Sequence, residues 1–181
     1  MKINNYLRVL VMAVAIAFST TGQAQKFSDL DKSPMDASSF PSSYKISDKI
    51  VKVVYGRPQL NNRNLATLAP MGKVYRTGAN EASEITFYKE VTFGGKKVAA
   101  GTYSLFTIPG EKEWTVILNK AHNVWGAYTY NESDDVLRVK GAVSKSDKTI
   151  EAFSIVFEGE GTEFNMYLGW GNTVVTVPIK A

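Results

Sequence analysis

From residue 49 onward apolar residues come in short runs separated by turn formers, and within the clearest runs they alternate with polar ones. Phe164, Met166, Leu168 and Trp170 occupy every second position, with Asn165, Tyr167 and Gly169 between them. Side chains two apart on a strand share a face, so this stripe predicts a strand with one face in a core. Trp114, Val116 and Leu118 make a second stripe, and Phe153, Ile155 and Phe157 a third. No stretch of useful length carries a helical period, and only residues 64–68 suit a short helical turn.

Turn residues divide the chain into short strands. Residues 49–55 end at Gly56-Arg57-Pro58, where proline's missing N–H interrupts a ladder. Residues 84–88 and 91–93 follow, and Gly94-Gly95 supplies the positive φ angles of a two-residue hairpin turn back into 96–98. Further strands are expected at 102–108 and 114–118 around a polar loop, and at 124–130 and 136–143 around the acidic turn 131–135. The last are expected at 150–158 and 164–170 around Gly159-Glu160-Gly161, and at 173–179 after Gly171-Asn172. Two sheets packed face to face account for all three stripes. The expected fold is all-β: an antiparallel two-sheet sandwich, jelly-roll-like or a partly closed barrel, of nine or ten strands.

The first 48 residues read differently. Lys2 and Arg8 flank a polar start, residues 9–18 are an uncharged apolar run, and Gly22-Gln23-Ala24 gives the small-x-small pattern that a signal peptidase accepts. An apolar run of about ten residues is half of the roughly 20 that span a bilayer. Residues 1–24 are therefore expected to be a cleaved secretory signal, leaving a chain with no membrane span and a periplasmic or secreted destination. Residues 25–48, with Pro34, Pro41 and many Ser, Asp and Lys, read as a linker or edge-wrapping arm, and 49–181 as a single β-sandwich domain.

Composition narrows the chemistry. The chain has no Cys, which removes disulfides, thiol redox chemistry, thiolate metal sites and a lipidated thiol together. A mature chain of about 155 residues is large enough to bury close to 70% of its unfolded surface without such staples. Loss of Lys2 and Arg8 lowers the formal charge from +4 to +2, and the remaining bases are interspersed with acids, which argues against nucleic acid as a partner.

The strings Tyr55-Gly56-Arg57-Pro58, with Arg63 beyond, and Gly72-Lys73-Val74-Tyr75-Arg76-Thr77-Gly78-Ala79-Asn80-Glu81 carry a resemblance. So do residues 100–110, then Glu113-Trp114-Thr115-Val116-Ile117 with Asn119-Lys120, Trp125-Gly126 and Leu137-Arg138-Val139. Together they resemble the bacterial family catalogued as Domain of Unknown Function 2911, over residues 50–179. Tyr75 stands where the family pattern leads one to expect Trp, and Gly171 where an acid is usual. The resemblance implies an exported β-rich protein and assigns no activity.

Arg76 to Glu81 is the densest polar cluster within it. Arg76 offers a planar fork for a carboxylate or phosphate, Gly78 close backbone approach, and Asn80 with Glu81 acceptors for a hydroxyl-rich molecule. Arg57 is expected to add charge to the same pocket, and Trp125, beside Gly126 in a polar stretch, to supply an aromatic face. The competing reading is structural, with Arg76 paired to Glu81 or capping loop carbonyls and Asn80 stabilising a tight turn.

His122 is the single histidine, too few for a cupin-type metal site, and no Gly-x-Ser-x-Gly elbow presents a nucleophile to it. Neither a metal nor a cofactor is expected. Asn131, Glu132, Asp134 and Asp135 concentrate oxygen ligands in one turn, which suits either calcium or plain solvent exposure. Three functions stay open. The favoured one is a non-catalytic envelope protein binding a small polar or anionic ligand or partner through Arg57, Arg76, Asn80, Glu81 and Trp125. The second is a hydrolase-type enzyme with Glu81 as acid or base and Arg76 and Asn80 stabilising negative charge. The third is a structural or assembly role.

Overall fold

Two long strands organise the molecule. In the computed structural model, which describes residues 25–181, Asp135–Glu160 forms one continuous strand, β8, and Glu163–Lys180 another, β9, paired antiparallel. Nine strands occur among the described residues. The others are β1 (Met35–Phe40), β2 (Val51–Gly56), β3 (Ser83–Phe87), β4 (Val91–Phe93), β5 (Lys96–Val98), β6 (Gly101–Ile108) and β7 (Glu113–Asn119). They form one antiparallel sheet in the order β1-β2-β3-β6-β7-β8-β9-β4-β5.

A single sheet replaces the expected two, and the reason lies in β8 and β9. Each had been read as two strands, broken at 144–149 and at Gly171-Asn172. The chain bends there without ending its ladder. Between Thr173 and Gly171, two positions on β9, β8 advances from Lys145 to Ile150, and extra residues intervene again before Ser154. Such bulges bend a strand and increase its twist while pairing resumes beyond them. Gly171 sits at the bend with φ +60°, a left-handed conformation that glycine adopts without penalty.

The bend brings the two ends of β9 together. The Lys180 ammonium lies 2.7 Å from the Glu163 carboxylate, and the Ala181 amide donates to the Thr162 carbonyl at 2.9 Å. The sheet therefore curls until its concave face closes on itself, and the three predicted stripes meet in one core. Phe40 of β1 stacks on Phe164 of β9 with ring centroids 4.0 Å apart, although no ladder joins those strands.

Most predicted strands occur within a residue or two of their expected bounds. Gly94 and Gly95, at φ +54° and +84°, make the β4–β5 hairpin turn. The short helix forms as α1 (Leu65–Leu68), with the Asn64 side chain accepting from the Ala66 amide. The expected strand at 124–130 is instead a loop. Positive φ at Asn123 (+55°) and Gly126 (+68°) breaks the extended run. Val124 packs with Phe106 and Ile117, which face away from the main core, and Ala127 and Tyr130 pack against that cluster, so the loop is a lid over the outer face of β6 and β7.

Within residues 25–48, β1 lies at the edge of the sheet against β2, from Met35↔Gly56 to Phe40↔Val51. The compact unit that holds the sheet runs from Asp31 to Ala181. The expected signal segment, 1–24, lies outside the described residues. Among the described residues no helix is long and apolar enough to cross a membrane.

The bend makes two substitutions informative. Phe153, 1% exposed at the second bulge, touches the rings of Tyr55, Tyr75 and Trp170. Phe153→Ala is expected to cost about 3–5 kcal/mol in urea unfolding. Gly171→Ala meets no atom closer than 3.9 Å, so its cost is expected to be the backbone strain alone, roughly 1–2 kcal/mol.

Candidate functional site

The loop before β3 is built from the inside out. Tyr75 pairs with Thr107 of β6 through both backbone bonds, at 2.7 and 2.9 Å, which directs its ring into the core. Its hydroxyl then donates to the Gly78 carbonyl at 2.8 Å. Thr77, wholly buried at φ +55°, lies 3.1 Å by its hydroxyl from that of Thr107, and Ser83 Oγ donates to the Thr77 carbonyl at 2.6 Å. A Cβ on Gly56 would strike the backbone of Ala79, so β2 and this loop touch main chain to main chain. Thr77, Gly78 and Ala79 are thus a buried plug, which is the structural reading of half the motif.

The side chains flanking the plug behave differently. Arg57 is consumed structurally: its Nε donates to the Phe153 carbonyl at 3.0 Å, one terminal nitrogen to Ser154 Oγ at 2.8 Å and the other to the Asp36 carboxylate at 3.0 Å. It staples the end of β2 to β1 and β8. Arg63 caps its own loop through the carbonyls of Leu60 and Gln59. The Arg76 guanidinium has no hydrogen bond and no ion pair among the described residues, and its Nε is shut off from solvent without a partner, while the Arg76 carbonyl accepts from the Ser83 amide at 3.1 Å. The expected pairing of Arg76 with Glu81 is absent.

Asn80 takes φ +62°, and its carbonyl accepts from the Gly126 amide at 2.9 Å. The Ala82 amide donates to the Val124 carbonyl at 2.8 Å. These two bonds flank Glu81 and Trp125, which makes them an antiparallel pair of the non-hydrogen-bonded kind, the kind that holds opposite side chains closest. Asn80, Glu81 and Trp125 are therefore brought together, while the Arg57 guanidinium is committed elsewhere. Trp125 is 61% exposed, whereas Trp114 and Trp170 are buried in the core.

Glu81 also lines a hollow of about 300 Å³ with Met35, Val54, Ala82, Glu84 and Asn123. Glu84 Oε1 accepts from the Asn123 amide at 2.8 Å, and His122 Nδ1 stands 4.0 Å from the same oxygen. A hollow of about 420 Å³ beside the β8–β9 turn is larger, but its charged lining side chains, Glu163 and Lys180, neutralise each other.

A polar network fixes the lid that carries Trp125. Asp135 Oδ2 accepts from Arg138 Nε at 2.6 Å and from the Tyr130 hydroxyl at 2.7 Å, and Oδ1 accepts from Asn119 Nδ2 at 2.8 Å. A second Arg138 nitrogen donates to the Tyr130 hydroxyl at 2.7 Å. The four residues span 119–138, so no local motif announces them. Two of the acids read as calcium ligands are used here, since Glu132 also meets Arg138, at 3.2 Å. The Asn131 side chain caps the 3-10 turn Glu132–Asp134. Among the described residues no group of three or more acids or histidines is placed to hold a metal.

With this geometry in place the strings that carry the resemblance acquire positions: the plug, the Arg57 staple, the β6–β7 hairpin and the lid. A family model described as Protein of unknown function (DUF2911) matches residues 36–179. The chain belongs to that family. Searches among curated proteins and among solved structures each return no match. In this family member, then, Tyr75 fills its expected-Trp position by stacking on Trp170, with ring centroids 6.1 Å apart. Gly171 holds its expected-acid position because the bend in β9 requires it.

Burial, and then the bond to Asp135, pushes the Tyr130 hydroxyl up to about 12, and burial raises Tyr75 and Tyr55 from their usual 10.0 as well. A group whose folded pKa is raised contributes stability that is complete below its unfolded pKa and is lost as pH climbs through the folded one. The urea midpoint is expected to fall between about pH 10 and 12 as tyrosinate absorbance appears, and to fall less in Tyr130→Phe. An identical fall in that variant would show that Tyr130 carries none of it.

Proposed function

We propose that the protein is exported and works without catalysis, as a binding protein whose Arg76 takes the anionic group of a small polar ligand, with Asn80, Glu81 and Trp125 at the margin. One observation carries this reading: Arg76 is half-buried and unpaired, and its Nε is shielded from water. A buried donor left unsatisfied costs about 1–3 kcal/mol, more for a charged group, so folded proteins seldom keep one without a use. An arriving carboxylate or phosphate would satisfy the fork and offset that cost.

A purely structural role accounts for Arg57, Arg63 and the Thr77–Ala79 plug, but it leaves the Arg76 guanidinium unexplained. The acid–base alternative draws support from Glu81 and Glu84 lining one hollow, since glycoside hydrolysis uses two carboxylates. The hollow opens to water, however, whereas such chemistry is favoured in sites that exclude it.

Purified protein screened by thermal shift against succinate, citrate and glycerol 3-phosphate is expected to gain melting temperature with at least one. Arg76→Ala should abolish the gain while leaving the near-ultraviolet dichroism unchanged. If no anion stabilises the wild type, or the variant keeps the gain, the reading is wrong. Export has its own check: N-terminal sequencing of protein recovered from an envelope fraction is expected to begin at Gln25, and a chain still beginning at Met1 would refute cleavage.

A further inference from the structure

The lid over β6 and β7 exposes two large aromatic side chains three positions apart. Trp125 is 61% and Tyr128 84% exposed. Both are positioned. Trp125 is locked opposite Glu81 by the bonds on either side of that pair. The Tyr128 ring lies against the backbone of Gly126, so close that a Cβ there would sit 2.6 Å from a ring carbon, and Gly126 holds φ +68°. The positive φ favours glycine there, and a larger residue would displace the exposed Tyr128 ring. The lid beneath is fastened by the Asp135 network and by the Asn123 amide on Glu84. The rings are thus presented to solvent on a fixed base, at low conformational cost to anything that docks on them.

Their neighbours define the chemistry of what docks. The Glu81 side chain leaves the backbone on the same face as Trp125 and lines the hollow of about 300 Å³ together with Glu84 and Asn123. Flat apolar faces flanked by carboxylate oxygens suit a molecule with one C–H face and a rim of hydroxyl donors. That describes a pyranose ring. A hollow of this size falls at the lower end of the range for small-molecule sites, roughly 300–1,000 Å³, and suits a single sugar unit with the rest of a chain running over the exposed rings. No cationic side chain lines it, so an acidic sugar is disfavoured.

We infer that Trp125 and Tyr128, with Glu81, Glu84 and Asn123, form a surface that binds a neutral oligosaccharide. This surface shares Glu81 and Trp125 with the margin of the Arg76 site, but Arg76 does not line its hollow, and a neutral sugar needs no partner for a guanidinium.

Tryptophan fluorescence reads this directly, because Trp114 and Trp170 are buried and an external ligand reports through Trp125. Purified protein would be titrated with the β-1,4-linked hexasaccharides of glucose, xylose and N-acetylglucosamine, and with hexagalacturonate as an acidic control. At least one neutral chain is expected to give a saturable blue shift, and hexagalacturonate none. Binding followed by calorimetry should weaken at least about tenfold in Trp125→Ala, and a few-fold in Tyr128→Ala and in Glu81→Gln, with melting temperatures unchanged. Absence of a saturable shift with all three neutral chains, or wild-type affinity in Trp125→Ala and Tyr128→Ala, would overturn the inference.

Discussion

The stack of Trp170 on Tyr75, with the edge of Phe153 closing its side, joins the segment before β3 to both long strands at the place where they bend. Tyr55 of β2 adds a fourth ring against Phe153. A chain without cysteine has no covalent means of holding a bent hairpin closed, so apolar contact must do it, and aromatic rings bury the most area per residue. The same stack reaches outward. Tyr75 can hold the Gly78 carbonyl only while its ring is seated, and that bond sets the plug, which sets Asn80 and Glu81, which pair with the Trp125 segment. The external surface is therefore registered to the core through this phenol together with the Thr77–Thr107 and Ser83–Thr77 bonds.

Alternation was enough to identify most strands because a half-buried strand exposes one face and buries the other, and β9 obeys that rule on both sides of its bend, over 163–168 and 175–180. It was not enough to count the sheets. A turn and a bulged bend use the same residues, Gly, Asn, Ser and Asp, and both interrupt alternation, so 144–149 and Gly171-Asn172 read as chain reversals. Only the ladder, which resumes on both sides of the bend, separates the two cases. The lid was misread for a related reason. Val124, Trp125, Tyr128 and Tyr130 are strand formers by type, but the apolar outer faces of Phe106 and Ile117 needed a cover, and tertiary demand overrode propensity.

Of the candidate site, Asn80 and Glu81 meet the Trp125 segment, while the Arg76 guanidinium bonds to none of them. What the sequence concealed was that its polar-looking centre is interior, since Thr77 spends its hydroxyl on a threonine thirty residues away. Arg57 illustrates the same limit. An arginine after Gly56 near a polar loop reads as a charge for a ligand, yet its donors are taken by a carbonyl, a hydroxyl and a carboxylate on β8 and β1. The Asn119–Tyr130–Asp135–Arg138 network left no trace in spacing because its members meet only after β7 and β8 pair.

A β-sheet curled on a core of Phe, Trp, Tyr and Met fills its concave side with its own side chains, unlike barrels that carry ligands in a lumen. The proposed recognition therefore lies on the outside, and an external surface discriminates only if it is stiff. Stiffness here comes from expensive local choices: a left-handed Asn80, a left-handed Gly126 under a tyrosine ring, and a carboxylate sheltered beneath the lid and satisfied by three neighbours. None of these strengthens the core. Their common effect is to fix the direction in which Glu81, Trp125 and Tyr128 face, and strain or buried polarity concentrated around otherwise exposed side chains is better explained by what those side chains meet than by the stability of the fold.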